Sequence, residues 1–223
     1  MPCRRCAAVP EPSRPENCRV ILYRQVEALR RLWGIWELFD PFLIAETLPG
    51  MEVRCHPFET KGFHGFIVTS DDKRCARIVL NSLRSPAEQT FDLSHELIHY
   101  ALHPPTLQVR SRAPFLEWQA DEGAAELLLP RAFLLRFLHD ARGRVREPAQ
   151  ADALIRLLAR RQGVTSVMVR RRIWNLRLDV MQVLGGADPA SLPLQLQRTY
   201  PPCETEPAEW FYPAGHTRYS VVE

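Results

Sequence analysis

Ser85-Pro86-Ala87-Glu88-Gln89-Thr90-Phe91-Asp92-Leu93-Ser94-His95-Glu96-Leu97-Ile98-His99-Tyr100-Ala101-Leu102-His103 reads as a single helix carrying an H-E-x-x-H pattern. Ser85 can cap it, Pro86 suits the first helical position, and Glu88 completes a capping box. Leu93, Leu97, Ile98, Ala101 and Leu102 form an apolar stripe at helical spacing. Pro104 and Pro105 stop the run. Two imidazoles four residues apart share one helix face, about 6 Å apart along the axis. Both can then reach a single zinc ion at about 2.0–2.1 Å. Glu96, next to the first histidine, is placed to act as a general base. The competing reading of so short a pattern is an amphipathic helix with two half-exposed histidines. The flanking sequence has to decide.

A third ligand is needed. His103 continues the i, i+4 series, but three histidines on one straight helix span about 12 Å and do not converge on one ion. Its expected role is a helix-end histidine near the last carbonyls. The longer pattern with a glycine and a third histidine is absent, because Tyr100-Ala101-Leu102 follows His99. Downstream, Glu117-Trp118-Gln119-Ala120-Asp121-Glu122-Gly123-Ala124-Ala125-Glu126-Leu127-Leu128-Leu129-Pro130 has strong helix propensity. Glu117 and Asp121 lie four apart on one face. Glu117 can bind zinc, and Asp121 can accept a hydrogen bond from a ligand histidine's other ring nitrogen. Taken alone, these acids with Glu122 and Glu126 would form a solvated face. Paired with H-E-x-x-H, they complete a His, His, Glu set known in catalytic zinc sites.

The residues 91–103, followed by Glu117-Trp118-Gln119-Ala120-Asp121 and 124–130, resemble the ImmA/IrrE family of metallopeptidases. In that family a zinc helix of the form H-E-L-x-H is paired with a second helix often reading E-W-E-A-N-x-F-A-A-x-L-L-M-P. Here Gln119, Asp121, Gly123 and Leu129 stand at four positions where the family commonly has other residues, and none of these removes a ligand. The resemblance covers about 40 to 180. It implies a Zn2+-dependent endopeptidase with His95, His99 and Glu117 on the metal, Glu96 as the catalytic base and Asp121 behind a ligand. It also implies a single regulatory substrate, a helix-turn-helix transcriptional repressor. A strand edge beside the metal would hold the substrate in extended form. The alternative is a non-proteolytic DNA- or protein-binding regulator that uses the zinc fold as a scaffold.

The 223 residues suffice for one domain of ordinary size with a real core. With 46% hydrophobic and 25% charged residues the composition is globular, and a formal charge of +3 is too small to imply nucleic-acid binding. No stretch approaches the roughly 20 apolar residues of a membrane span. The first residues carry charge with no apolar run behind them, so no signal peptide is expected and a cytoplasmic location follows. The six cysteines are then reduced thiols. Cys3-x-x-Cys6 with Cys18 and Cys203 offers only half of a four-cysteine zinc spacing, and incidental thiols are the favoured reading. Cys55 and Cys75 are expected to be buried hydrophobes.

The fold class expected is α+β: a small antiparallel three-stranded sheet packed on a mostly helical, zincin-like core. Residues 1–18 read as a disordered tail, 19–140 as the metallopeptidase core, 141–182 as an arginine-rich, helix-turn-helix-like segment, and 183–223 as a Pro-rich extension. A helical pattern runs over 19–39, with Trp33 and Trp36 expected in the core. A short helix starts at Asp40-Pro41, and strands are expected over 51–58, 63–69 and 74–80. Two helices, 151–162 and 165–178, are joined at Gly163, with Thr165 as a cap. Between 142 and 178, ten arginines stand against two acids, a local net charge of +8. DNA binding through Arg170, Arg171 and Arg172 is therefore an open alternative. Packing of this segment against the core is the favoured reading. Tyr212, His216 and Tyr219 could stabilise an oxyanion, but nothing in the sequence selects one.

Overall fold

A computed structural model describes residues 15–36, 39–60, 62–72, 74–103 and 114–194. The elements are α1 (Pro15–Leu32), α2 (Pro41–Thr47), β1 (Met51–His56), β2 (Gly65–Thr69), β3 (Ala76–Asn81), α3 (Pro86–Leu102), α4 (Pro114–Leu128), α5 (Arg131–Ala141), α6 (Pro148–Arg161), α7 (Ser166–Asn175) and α8 (Arg177–Leu184). The fold is α+β. Among the described residues no helix is long and apolar enough to cross a membrane.

Local chemistry sets the helix starts. Asp40 accepts from the backbone N–H of Phe42 at 2.9 Å, with Pro41 at the first helical position. At α3 the capping box forms: Glu88 N–H donates to Ser85 Oγ, and Ser85 N–H donates to the Glu88 carboxylate at 2.9 Å. Thr165 caps α7 by accepting from Met168 N–H at 3.1 Å. Gly163 ahead of it takes φ +63°, which ends α6 and turns the chain.

The sheet corrects the expected all-antiparallel arrangement. Its order is β1-β3-β2, with β2 antiparallel to β3 and β1 parallel to it. The turn at Ser70 makes the antiparallel hairpin: Ser70 N–H donates to Cys75 O at 2.9 Å, and Cys75 N–H to Ser70 Oγ at 3.1 Å. The link from β1 to β2 instead crosses the end of β3. Buried Asn81 ties it there, donating to Phe58 O at 2.9 Å and Phe63 O at 3.0 Å and accepting from Phe58 N–H at 3.1 Å. The connection, which side-chain alternation does not encode, decides the strand direction.

One core joins the layers. Leu22 and Val26 of α1, Ile78 and Leu80 of β3, Leu93, Leu97 and Ile98 of α3, Leu127 and Leu128 of α4 and Leu134 and Leu135 of α5 are all essentially inaccessible. Helices α3 and α4 pack closely because Gly123 faces Ile98. A Cβ at Gly123 would stand 3.1 Å from the Ile98 side chain.

Several expectations are corrected by position. Helix α1 begins at Pro15 and buries Cys18, so these residues do not belong to a disordered tail. Cys3, Cys6 and Cys203 lie outside the described residues, as do Tyr212, His216 and Tyr219. Trp33 packs on the core and stacks on Phe39, whereas Trp36 is 83% exposed. Helical spacing no longer applies to Trp36, because Gly34 takes φ +68° just after α1 ends. Cys55 lies on the outward half of β1 and Cys75 in the turn before β3, and both are exposed. The helix expected over 165–178 is broken at Leu176, whose φ −108° and ψ 17° are non-helical, giving α7 and α8.

Candidate metal centre

Helix α3 presents His95 and His99 toward α4, and α4 presents Glu117 toward both. His95 Nε2 lies 3.0 Å from His99 Nε2. The Glu117 carboxylate lies 3.4 Å from His95 Nε2 and 3.6 Å from His99 Nε2. One donor atom from each residue falls within 4.8 Å of the others. A tetrahedral ion with bonds of about 2.0–2.2 Å sets its ligand atoms roughly 3.3–3.6 Å apart. Both Glu117 distances fall in that range, the two histidine nitrogens stand somewhat closer, and the N, N, O donor set suits a cation such as zinc. Among the described residues this is the group of His, Cys, Asp and Glu side chains that could hold a metal.

The electrostatics favour a cation. Burial opposes charge on His95, but Asp121 and Glu117 raise its pKa well above the ordinary histidine value. Burial likewise opposes charge on Glu117, yet hydrogen bonding to both histidines drives its pKa far below the ordinary carboxylate range. The pair of carboxylates demands positive charge, which a metal can supply in place of a proton. Glu96 is buried beside the cluster, and burial raises its carboxyl against the opposing pull of His95 and His99.

Asp121 stands behind His95. Its Oδ1 lies 2.9 Å from His95 Nδ1, which leaves His95 Nε2 facing the cluster. Burial would raise the Asp121 carboxyl, but His95 and then Arg171 hold it low. Arg171 Nη2 lies 3.5 Å from Asp121 Oδ2, so an α7 side chain reaches the support of a candidate ligand.

Two roles differ from expectation. The backbone N–H of His103 does cap the helix, donating to His99 O at 3.1 Å. Its imidazole, however, turns inward and is buried, with Nδ1 2.8 Å from His99 Nδ1 and Nε2 3.3 Å from Gln119 Oε1. Burial first, and His99 next, push the His103 pKa down to about 4. The missed signal was the i, i+4 spacing from His99: it is wrong for a third ligand and right for a partner of the second.

The second difference concerns the arginines. Arg170 pairs with Asp152 at 2.7 Å, and Arg171 with Asp121. The Arg172 side chain is wholly inaccessible. It donates to Glu122 at 2.8 Å, Tyr23 OH at 2.8 Å, Leu129 O at 3.2 Å, and Glu126. A DNA contact through Arg172 is therefore corrected: this residue bolts α7 to α4. Glu122 and Glu126, which taken alone would read as part of a solvated face, are its partners.

Two comparisons with known proteins bear on this arrangement. A family model described as the IrrE N-terminal-like domain, Peptidase_M78, matches residues 47–173, more than half of the chain. That span runs from the end of α2 through the sheet, α3 and α4 into α7. Over 118 residues the chain is also 40% identical to "Uncharacterized immunity region protein 2" of Bacillus phage phi105. The match covers 46% of this chain and 66% of that protein, just under two thirds of its length.

Proposed function

The chain belongs to the Peptidase_M78 family of IrrE N-terminal-like domains, and on that premise we propose that it is a zinc-dependent endopeptidase. His95, His99 and Glu117 hold the metal. The observation that carries this reading is the convergence of their three donor atoms within 4.8 Å, with Glu96 buried one residue from the first. When bound, zinc supplies Lewis acidity toward the scissile carbonyl and the attacking water. Glu96 takes the proton from that water and delivers it to the amine leaving the cleaved peptide bond. Asp121 keeps the His95 ring oriented. The β2 edge, with Phe66 and Val68 exposed, offers main-chain groups to an extended substrate.

The substrate is one cytoplasmic regulatory protein, a helix-turn-helix transcriptional repressor. A relative named for a phage immunity region fits a regulatory target. A single-target protease needs little activity on generic substrates, so casein is the wrong assay. The test compares protein N-termini, by mass spectrometry, in host cells expressing wild type or Glu96→Gln. New termini confined to the wild type and concentrated in one transcriptional regulator are expected. Identical profiles, with both proteins folded, zinc-loaded and biologically active, would exclude the peptidase and leave a zinc-fold scaffold that acts by binding.

A further inference from the structure

The metal reading requires His99 to offer Nε2 as a lone pair. Its proton must then sit on Nδ1. That nitrogen lies 2.8 Å from Nδ1 of His103, and the two rings meet at 65° with centroids 4.8 Å apart. One hydrogen bond joins two ring nitrogens, so one of them carries the proton and the other accepts it. If His99 Nδ1 donates, His103 Nδ1 accepts, and the His103 proton lies on Nε2. Nε2 in turn faces the side-chain amide of Gln119 at 3.3 Å, with the carbonyl oxygen as acceptor. Each step fixes the next.

We propose that His103 and Gln119 are positioning residues, which hold His99 in the Nδ1–H tautomer and so keep Nε2 unprotonated toward the metal. The proposal rests on the metal reading above. The polarity of the chain follows from it: reversing the amide of Gln119 would put the His103 proton on Nδ1, force His99 to protonate at Nε2, and block the ligand position. His103 stands on the Nδ1 side of His99, away from the donor atoms that His95, His99 and Glu117 share, and so supports a ligand without being one. The two candidate ligand histidines thus have unlike supports. His95 has a carboxylate, Asp121, tied to Arg171; His99 has a neutral imidazole backed by an amide. A neutral acceptor is the weaker of the two. Outer partners of ligand histidines typically contribute 10–100-fold in metal affinity.

The experiment uses the full chain loaded with one equivalent of zinc. Zinc affinity is measured by competition with a chromophoric chelator for wild type, His103→Phe and His103→Asn. Long-range 1H–15N NMR of the imidazoles reads the tautomers in the wild type. Phenylalanine keeps the ring and loses the acceptor, and a loss of about tenfold in affinity is expected. Asparagine places Oδ1 where Nδ1 stood, and should restore affinity to near wild type. NMR should show His99 protonated at Nδ1 and His103 at Nε2. Equal affinity in all three folded proteins, or a His103 proton on Nδ1 in the zinc-bound wild type, would overturn the proposal while leaving the metal site standing. A wild type that binds no zinc would overturn the metal reading itself. Should His103→Phe fail to fold, the asparagine variant and the wild-type tautomers still decide.

Discussion

Helix α4 carries two pairs of acids at the same i, i+4 spacing, and the structure puts them to opposite uses. Glu117 and Asp121 face the histidines of α3; Glu122 and Glu126 face Arg172 of α7. The second cluster is closed. Arg172, Glu122 and Arg19 have side-chain exposures of 0%, 2% and 3%, and Arg19 pairs with Glu122 at 3.4 Å. Its charges answer one another inside the protein. The first cluster is more open, with Glu117 37% exposed, and its donors point at a shared position. Glu122 is held ionised by its arginines, whereas burial outweighs Arg172 at Glu126 and lifts that carboxyl to about 7. An acid whose neighbours are two histidine nitrogens becomes fully satisfied only when a proton or a metal joins them. Arg171, reaching Asp121, connects the two regions.

Substitutions at each cluster test its role separately. The largest effect is expected for His99→Ala, which should remove stoichiometric zinc while the fold survives; one equivalent of zinc retained in metal analysis would end its assignment as a ligand. Next comes Arg172→Met. It removes the guanidinium that Glu122 and Glu126 share in the interior and should cost about 3–5 kcal/mol in denaturant unfolding, as breaking a buried pair does. A near-neutral result would mean that the closed cluster does not hold α7 on α4. Asp121→Ala should weaken zinc binding roughly 10–100-fold with little change in unfolding free energy, which separates support of a ligand from support of the fold. Unchanged zinc affinity would reduce Asp121 to a structural acid.

The smallest effect expected is in acid. Burial alone would raise the Glu122 carboxyl, but Arg19 and Arg172 hold its folded pKa below the ordinary 4.5. A depressed carboxylate contributes stability that is fully present above the unfolded value and is lost as pH falls toward the folded one. Unfolding free energy should therefore decline below about pH 4.5, and the Glu122→Gln curve should be flatter there. Parallel curves would mean that other carboxylates carry the acid sensitivity.

Much of the candidate site was legible because its signals are local. The capping box at Ser85, the four-residue spacing of His95 and His99, that of Glu117 and Asp121, and the turn at Gly163 each follow from one or two turns of backbone geometry. What lay outside the sequence depended on contacts between distant segments. Strand β1 runs parallel to β3 because Asn81 pins the crossing loop, and alternation along β1 is the same in either direction. His103 turns inward because Gln119 of another helix receives it. Arg172 is a buried bolt although its sequence neighbourhood reads as a basic surface, since a run of arginines states its charge and not the location of its counter-charges. The sequence by itself determined which residues could share a helix face. Only the tertiary structure decided which faces meet, because burial and pairing are properties of two surfaces and each segment encodes one.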